Sequence, residues 1–137
     1  MSEVVIVEVR DELDVGRARR AATALCEGAG FSKLDAAYVT TSVSELAHNL
    51  VRHAGGGTII LRLQAGGDEQ WIEVVAEDHG PGIADIALAM QDGYSTAGGL
   101  GSGLPGVRRM MDDFGIASTP HVGTRVTARK WATRRKP

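Results

Sequence analysis

Three short stretches of this 137-residue chain carry residue types that can do chemistry: Glu45-Leu46-Ala47-His48-Asn49, Asp78-His79-Gly80-Pro81-Gly82 and Gly99-Leu100-Gly101-Ser102-Gly103-Leu104. Glu45 and Asn49 stand four residues apart, so on a helix their side chains point the same way. A carboxylate and an amide so placed can serve one polar group together, and a glycine run ahead of a helix can wrap an anion with backbone N–H groups. Each stretch alone is weak evidence. E-x-x-x-N pairs are common on helices, D-x-G-x-G makes an ordinary turn, and a glycine run can be only a loop.

Neighbouring patterns exclude other chemistries. Gly101-Ser102-Gly103-Leu104-Pro105-Gly106 satisfies the G-x-G-x-x-G expression of dinucleotide sites, but such a site needs a strand directly before it and an acid ~20 residues on. Here a long polar loop precedes it, and Arg125, Arg129 and Lys130 follow. No G-x-x-x-x-G-K-[ST] run occurs, so a Walker-type phosphate loop is excluded. His48 and His53, spaced i, i+5, do not share a face as a zinc pair must. Cys26 is the one cysteine, which rules out an internal disulfide framework and a cysteine-based zinc knuckle; it reads as a small buried residue.

Fifteen Lys+Arg against 17 Asp+Glu leave a net charge of −2, so there is no electrostatic reason to expect nucleic acid as a partner. No stretch approaches the ~18 apolar residues of a membrane span, and Met1 to Arg10 lack a positively charged leader region. The expectation is a cytoplasmic protein without a membrane partner. The locally basic stretch 125–137 reads first as a last strand with a solvated terminus, and second as a docking patch for an acidic partner.

With 43% hydrophobic residues, the chain has material for one core, and its length suits a single domain spanning 1–137. The 18 glycines are about twice the usual share and must sit in turns, caps or ligand loops. Val4 to Val9 reads as a strand. Asp14 is a candidate N-cap for a first helix whose apolar stripe is Val15, Ala18, Ala22, Leu25 and Cys26, stopped by Gly28 and Gly30. Ser32-Lys33-Leu34-Asp35 resembles a capping box opening a second helix, which Gly55-Gly56-Gly57 ends. That helix places Val39, Val43, Leu46, Ala47 and Leu50 on one stripe, and Glu45, His48, Asn49 and Arg52 on the other side.

Thr58 to Leu63 and Trp71 to Glu77 are strands joined by the loop Gln64 to Gln70. Asp85 to Gln91 reads as a short helix. A further helix has Pro105 in its first turn, a buried stripe of Val107, Met110, Met111 and Phe114, and Gly115 at its end. Ile116 to Ser118 and Thr124 to Trp131 are the last strands. This order predicts an α+β two-layer sandwich, with helices on one face of an antiparallel or mixed sheet.

In order and spacing, the three stretches resemble the nucleotide-binding signature of the GHKL ATPase superfamily, the Bergerat fold, and Gly123-Thr124 opening a strand looks like that family's last nucleotide-contacting position. The run Ala89-Met90-Gln91-Asp92-Gly93-Tyr94-Ser95-Thr96, followed by Gly98-Gly99-Leu100-Gly101 and Leu104-Pro105-Gly106-Val107, is most similar to the RsbT-like branch of small serine/threonine kinases. The resemblance implies a mixed, mostly antiparallel sheet and the use of ATP with Mg²⁺. It implies Glu45 as general base or as the group orienting the attacking hydroxyl, and Asn49 as Mg²⁺ ligand. Asp78 would accept a hydrogen bond from the adenine amino group, supported by Thr124. Gly80 and Gly82 would let the backbone pass close to the base, while Gly99, Leu100, Gly101, Ser102, Gly103 and Leu104 would form a lid over the phosphates.

Ser102 departs from the apolar residue usual between these glycines, and Arg52 stands where many relatives carry Lys. The implied activity is phosphorylation of STAS-domain proteins of the RsbS/RsbR type in a bacterial stress-signalling partner switch, the stressosome, with an RsbU-like phosphatase as a further partner. The competing implication is an anti-sigma module of the RsbW/SpoIIAB type that sequesters a sigma factor.

Overall fold

In the computed structural model, residues 3–91 and 103–132 are described. The elements run β1 (Glu3–Val9), α1 (Glu12–Gly28), α2 (Lys33–Ala54), β2 (Gly57–Gly66), β3 (Glu69–Asp78), α3 (Ile86–Ala89), α4 (Gly103–Met110), β4 (Asp113–Thr119) and β5 (Gly123–Trp131). The strands form one sheet in the order β1-β2-β3-β5-β4, and every pair is antiparallel. The α+β expectation holds. The sheet, expected to be mostly antiparallel, is antiparallel throughout the described residues.

Burial explains why the layers meet where they do. Along β1, Val5, Val7 and Val9 face inward while Val4 and Ile6 stay exposed on the open side, the period-2 pattern of a half-buried strand. On α1 the five apolar residues named from the sequence are the buried ones. On α2 the stripe Val39, Val43, Leu46, Ala47 and Leu50 is buried against the sheet, at no more than 3% exposure. These residues join Ile59, Leu61, Ile72, Val74, Val126 and Ala128 in one core. Cys26 belongs to it, fully buried on α1.

Several boundaries differ from the sequence reading, each for a local reason. The N-cap of α1 is Asp11, not Asp14; Asp11 Oδ1 accepts from Asp14 N–H, which leaves the Asp14 carboxylate to accept from Arg10 N–H and Arg17. Ser32 caps α2 as expected, its hydroxyl accepting from Asp35 N–H at 3.1 Å, and Gly55 ends that helix in the left-handed region. The β2–β3 loop is only Gly67-Asp68, because pairing continues to Gly66↔Glu69. Gly67 alone takes positive φ there, the pattern of a type II′ hairpin turn.

Helix α4 stops at Met110, earlier than the apolar periodicity suggested, and Phe114 and Gly115 lie in β4. Two aspartates follow the helix end, where negative charge opposes the helix dipole. Both are captured by β5 instead: Asp112 accepts from Trp131 N–H and pairs with Lys130, and Asp113 pairs with Arg129. Lys130 Nζ also donates to Met110 C=O at 3.1 Å, lies 4.0 Å from Asp35 Oδ1 and sits over the Tyr38 ring. One largely buried ammonium therefore joins β5 to the end of α4 and the start of α2.

The sheet's other face carries no helix among the described residues. A chain of ion pairs, Arg62–Glu73–Arg129–Asp113, crosses four strands there, Arg125 pairs with Glu77, and Trp71 stacks on Trp131 at 5.8 Å. Residues 125–131 form the last strand as first expected, and its described basic residues each meet a carboxylate, Arg125 on Glu77, Arg129 on Glu73 and Asp113, and Lys130 on Asp112; residues 133–137 lie outside the described residues. No helix of the described residues is long and apolar enough to cross a membrane.

Two outcomes are expected. Lys130→Met leaves two carboxylates without their shared cation and should lower unfolding stability by about 3 kcal/mol in urea titrations. Burial, helped by the Asp35 and Glu27 charges, pushes the Cys26 thiol up from 9.0 to about 11. Because folding favours the neutral thiol, this contribution is fully present below pH 9.0 and is lost as pH rises through about 11. Cys26 should resist thiol reagents near neutral pH until the protein unfolds, and Cys26→Ala should remove that alkaline loss.

Candidate active site

A cavity of about 760 Å³ opens between α2, the ends of β3 and β5, the segment after β3, and the start of α4. Its apolar floor includes Leu46, Leu50, Ala76 and Val126. Its polar groups come from separate parts of the chain: Asn49 and His53 from α2, Asp78 from β3, and Thr124 from β5. With Leu46, Ala47 and Leu50 committed to the core, the helical period turns Asn49 into this space.

Asp78 and Thr124 are the last partners of the β3–β5 ladder, and Ser118 faces Thr124 from β4. Asp78 Oδ1 accepts two backbone hydrogen bonds, from Gly80 N–H at 2.9 Å and from Thr124 N–H at 3.2 Å. The carboxylate is thereby oriented, and among the described residues both bonds fall on one oxygen. Thr124 Oγ1 lies 2.8 Å from Ser118 Oγ.

The glycines of the D-x-G-x-G stretch also answer to the protein's own packing. A Cβ on Gly80 would lie 2.7 Å from Ala54 Cβ. Gly82 has φ +78°, and a Cβ there would lie 2.5 Å from Thr119 C=O. Gly123, with φ +150°, is pressed against Asp78 C=O. His121 N–H donates to Pro81 C=O at 2.8 Å, so the turn after β4 and the loop after β3 are held together. Of the two loop glycines, Gly82 lines the cavity.

Glu45 is one turn before Asn49, but it is not among the residues lining the cavity. Its Oε2 accepts from Gly103 N–H at 3.2 Å, at the start of α4. Gly103, Leu104 and Pro105 do line the cavity. The expected lid residues Gly99, Leu100, Gly101 and Ser102 lie outside the described residues. His48 turns away, with Nδ1 3.2 Å from the Glu12 carboxylate, tying α1 to α2, and Arg52 is exposed.

The sequence reading missed His53, Ile83 and Leu88 as lining residues. His53 is four residues beyond Asn49, a spacing that could have found it. Ile83 and Leu88 follow from tertiary placement of the segment that Asp85 caps, accepting from Leu88 N–H at 3.0 Å.

Residues 7–130 match the model of the histidine kinase-like ATPase domain. The chain is 42% identical over 131 residues to the serine/threonine-protein kinase RsbT of Bacillus subtilis, covering 96% of this chain and 98% of that one. It is 33% identical over 97 residues to an anti-sigma F factor of Clostridium novyi, covering 67% and 68% of the two chains. Among solved structures, the RsbU and RsbW domains of a Mycobacterium tuberculosis protein superpose with a TM-score of 0.68 at 16% identity, over 98% of this chain and 33% of that one, a likeness of fold. With its Asn49-bearing helix, its Asp78 strand end and its cavity on the helical side of an antiparallel sheet, the chain belongs to the histidine kinase-like ATPase domain family, as the GHKL resemblance of its motifs implied.

Proposed function

We propose that this chain is an ATP-dependent protein serine/threonine kinase whose acceptors are STAS-domain proteins of the RsbS/RsbR type, in a partner switch that also engages an RsbU-like phosphatase. The observation that carries the reading is the single cavity shared by Asn49, Asp78, Thr124 and the start of α4. Similarity to the kinase RsbT over nearly the whole of both chains supports it, whereas the anti-sigma relatives cover about two thirds.

In this reading, Asp78 accepts from the exocyclic amino group of adenine through Oδ2, since Oδ1 already takes two N–H groups. Thr124 stands beside it. The first turn of α4 directs backbone N–H groups and the positive end of its dipole toward phosphate oxygens. Asn49 offers its amide oxygen to Mg²⁺. Mg²⁺ prefers few protein ligands with phosphate oxygens and water, so a single amide oxygen suits it. Held there with the triphosphate, Mg²⁺ would supply neutralisation of charge on the transferring phosphoryl oxygens.

Glu45 orients the acceptor hydroxyl and takes its proton as the new O–P bond forms and the bond from the γ-phosphorus to the leaving ADP oxygen breaks. Its Oε2 accepts from Gly103 N–H, so the helix that meets the phosphates also holds the general base.

Two variants test separate parts of this assignment. Asp78→Asn should weaken Mg-ATP binding at least tenfold by calorimetry, on the order expected for losing a charge-assisted hydrogen bond. Glu45→Gln should bind Mg-ATP normally while transferring label to a STAS-domain serine or threonine about 100-fold more slowly. Unchanged affinity in the first, or unchanged transfer in the second, removes that residue from its role. Stable capture of a sigma factor without transfer would favour the anti-sigma reading.

A further inference from the structure

Ser118 does not line the cavity, yet its hydroxyl touches three backbone or side-chain groups that build one end of it. Ser118 Oγ accepts from Ile83 N–H at 2.7 Å, lies 3.2 Å from Gly123 C=O, to which it can donate, and lies 2.8 Å from Thr124 Oγ1. Ile83 and Thr124 are cavity walls from different parts of the chain. We infer that Ser118 is a positioning residue that sets the polarity of the Thr124 hydroxyl and the place of Ile83, and thereby the preference of the site for a 6-aminopurine over a 6-oxopurine. The inference rests on the reading of Asp78 and Thr124 as the base end of a nucleotide site.

The argument is an accounting of protons. A serine hydroxyl has one proton and two acceptor positions. Ile83 N–H occupies one acceptor position. All three contacts are satisfied when Ser118 donates to Gly123 C=O and accepts from Thr124; the Thr124 proton is then spent inside the protein. If the Ser118 proton turns to Thr124, the Thr124 proton is released toward the cavity. In that second arrangement Gly123 C=O gives up its Ser118 donor, Thr124 donates toward the cavity, and Ser118 keeps the Thr124 oxygen hydrogen-bonded and oriented.

Next to it, Asp78 offers only acceptors when ionised. An acceptor beside a donor complements the edge of a 6-aminopurine, an amino group beside a bare ring nitrogen. A 6-oxopurine presents a carbonyl oxygen to the carboxylate and an N–H to the hydroxyl, reversing both contacts. A site built from placed hydrogen-bonding groups discriminates because the wrong ligand leaves them unpaired.

The test is calorimetric titration of Mg-ATP and Mg-GTP into the full chain as wild type, Ser118→Ala and Ser118→Thr, with hydrogen exchange at the Ile83 amide and transfer rates at saturating ATP. Wild type is expected to prefer ATP. Ser118→Ala should bind ATP about tenfold more weakly, with a smaller ATP-to-GTP preference, faster exchange at Ile83 and an unchanged saturating rate. Ser118→Thr, which keeps the hydroxyl, should restore affinity, preference and protection. If Ser118→Ala keeps wild-type affinity and preference, or loses affinity equally for both nucleotides, the role of Ser118 is overturned while the nucleotide site stands. A folded wild type that binds neither nucleotide overturns the site itself and this inference with it.

Discussion

The burial of α2 against the inner face of the sheet is the constraint from which the rest follows. Val39, Val43, Leu46, Ala47 and Leu50 lie at 0–3% exposure, and removing such a stripe from water contributes roughly 1.5–3 kcal/mol for each large aliphatic residue. Once those positions are committed, the helical period leaves no freedom for the others. Asn49 must face the cavity, Glu45 must stand one turn before it, and His48 must turn toward α1. Ser32 and Gly55 bound the helix, so its register is closed at both ends.

The strand-end side of the cavity depends on a different device. The loop after β3 and the turn between β4 and β5 are fitted to each other backbone against backbone, through Gly82 on Thr119, Gly123 on Asp78 and His121 on Pro81. This close fit brings Asp78, Thr124 and Ser118 together without long side chains, and it explains why glycine is required at these positions before any ligand arrives. Preorganisation of this kind spares the site the cost of ordering its polar groups on binding.

Charge is organised with similar economy. The net charge is small, and on the open face of the sheet the described arginines of β5 meet carboxylates on neighbouring strands. Exposed pairs of this sort contribute little each, but the cross-strand chain pins the register of four strands. Lys130 acts on the helical side, where its buried position makes it the tie between β5, α4 and α2. The anchor at one end of α4 and the Glu45 contact at the other hold a helix of eight residues whose first turn lines the cavity.

Much of this was legible in the residues themselves. The buried stripes of α1 and α2, the Ser32 cap and the antiparallel hairpins follow from periodicity and capping chemistry, which are local or near-local, whereas the gathering of Asn49, Asp78 and Thr124 was implied by the family resemblance of their motifs. Boundaries were misread where local preference was ambiguous. Asp11 and Asp14 are both competent caps, and the stretch Met110 to Phe114 continues a helical pattern that cross-strand pairing with β5 interrupts.

By itself, then, the sequence determined the architecture, because hydrophobic period and glycine placement are written residue by residue, and the order of its motifs carried the resemblance that implied a shared site. Only the tertiary structure decided that Glu45 rests on Gly103, that a Cβ at Gly80 or Gly82 would meet the protein's own atoms, that β5's cations are already paired, and that Ser118 stands behind Thr124. Each of these joins segments distant along the chain, and a hydrogen bond or a steric limit between such segments exists only after packing has set the distance between them.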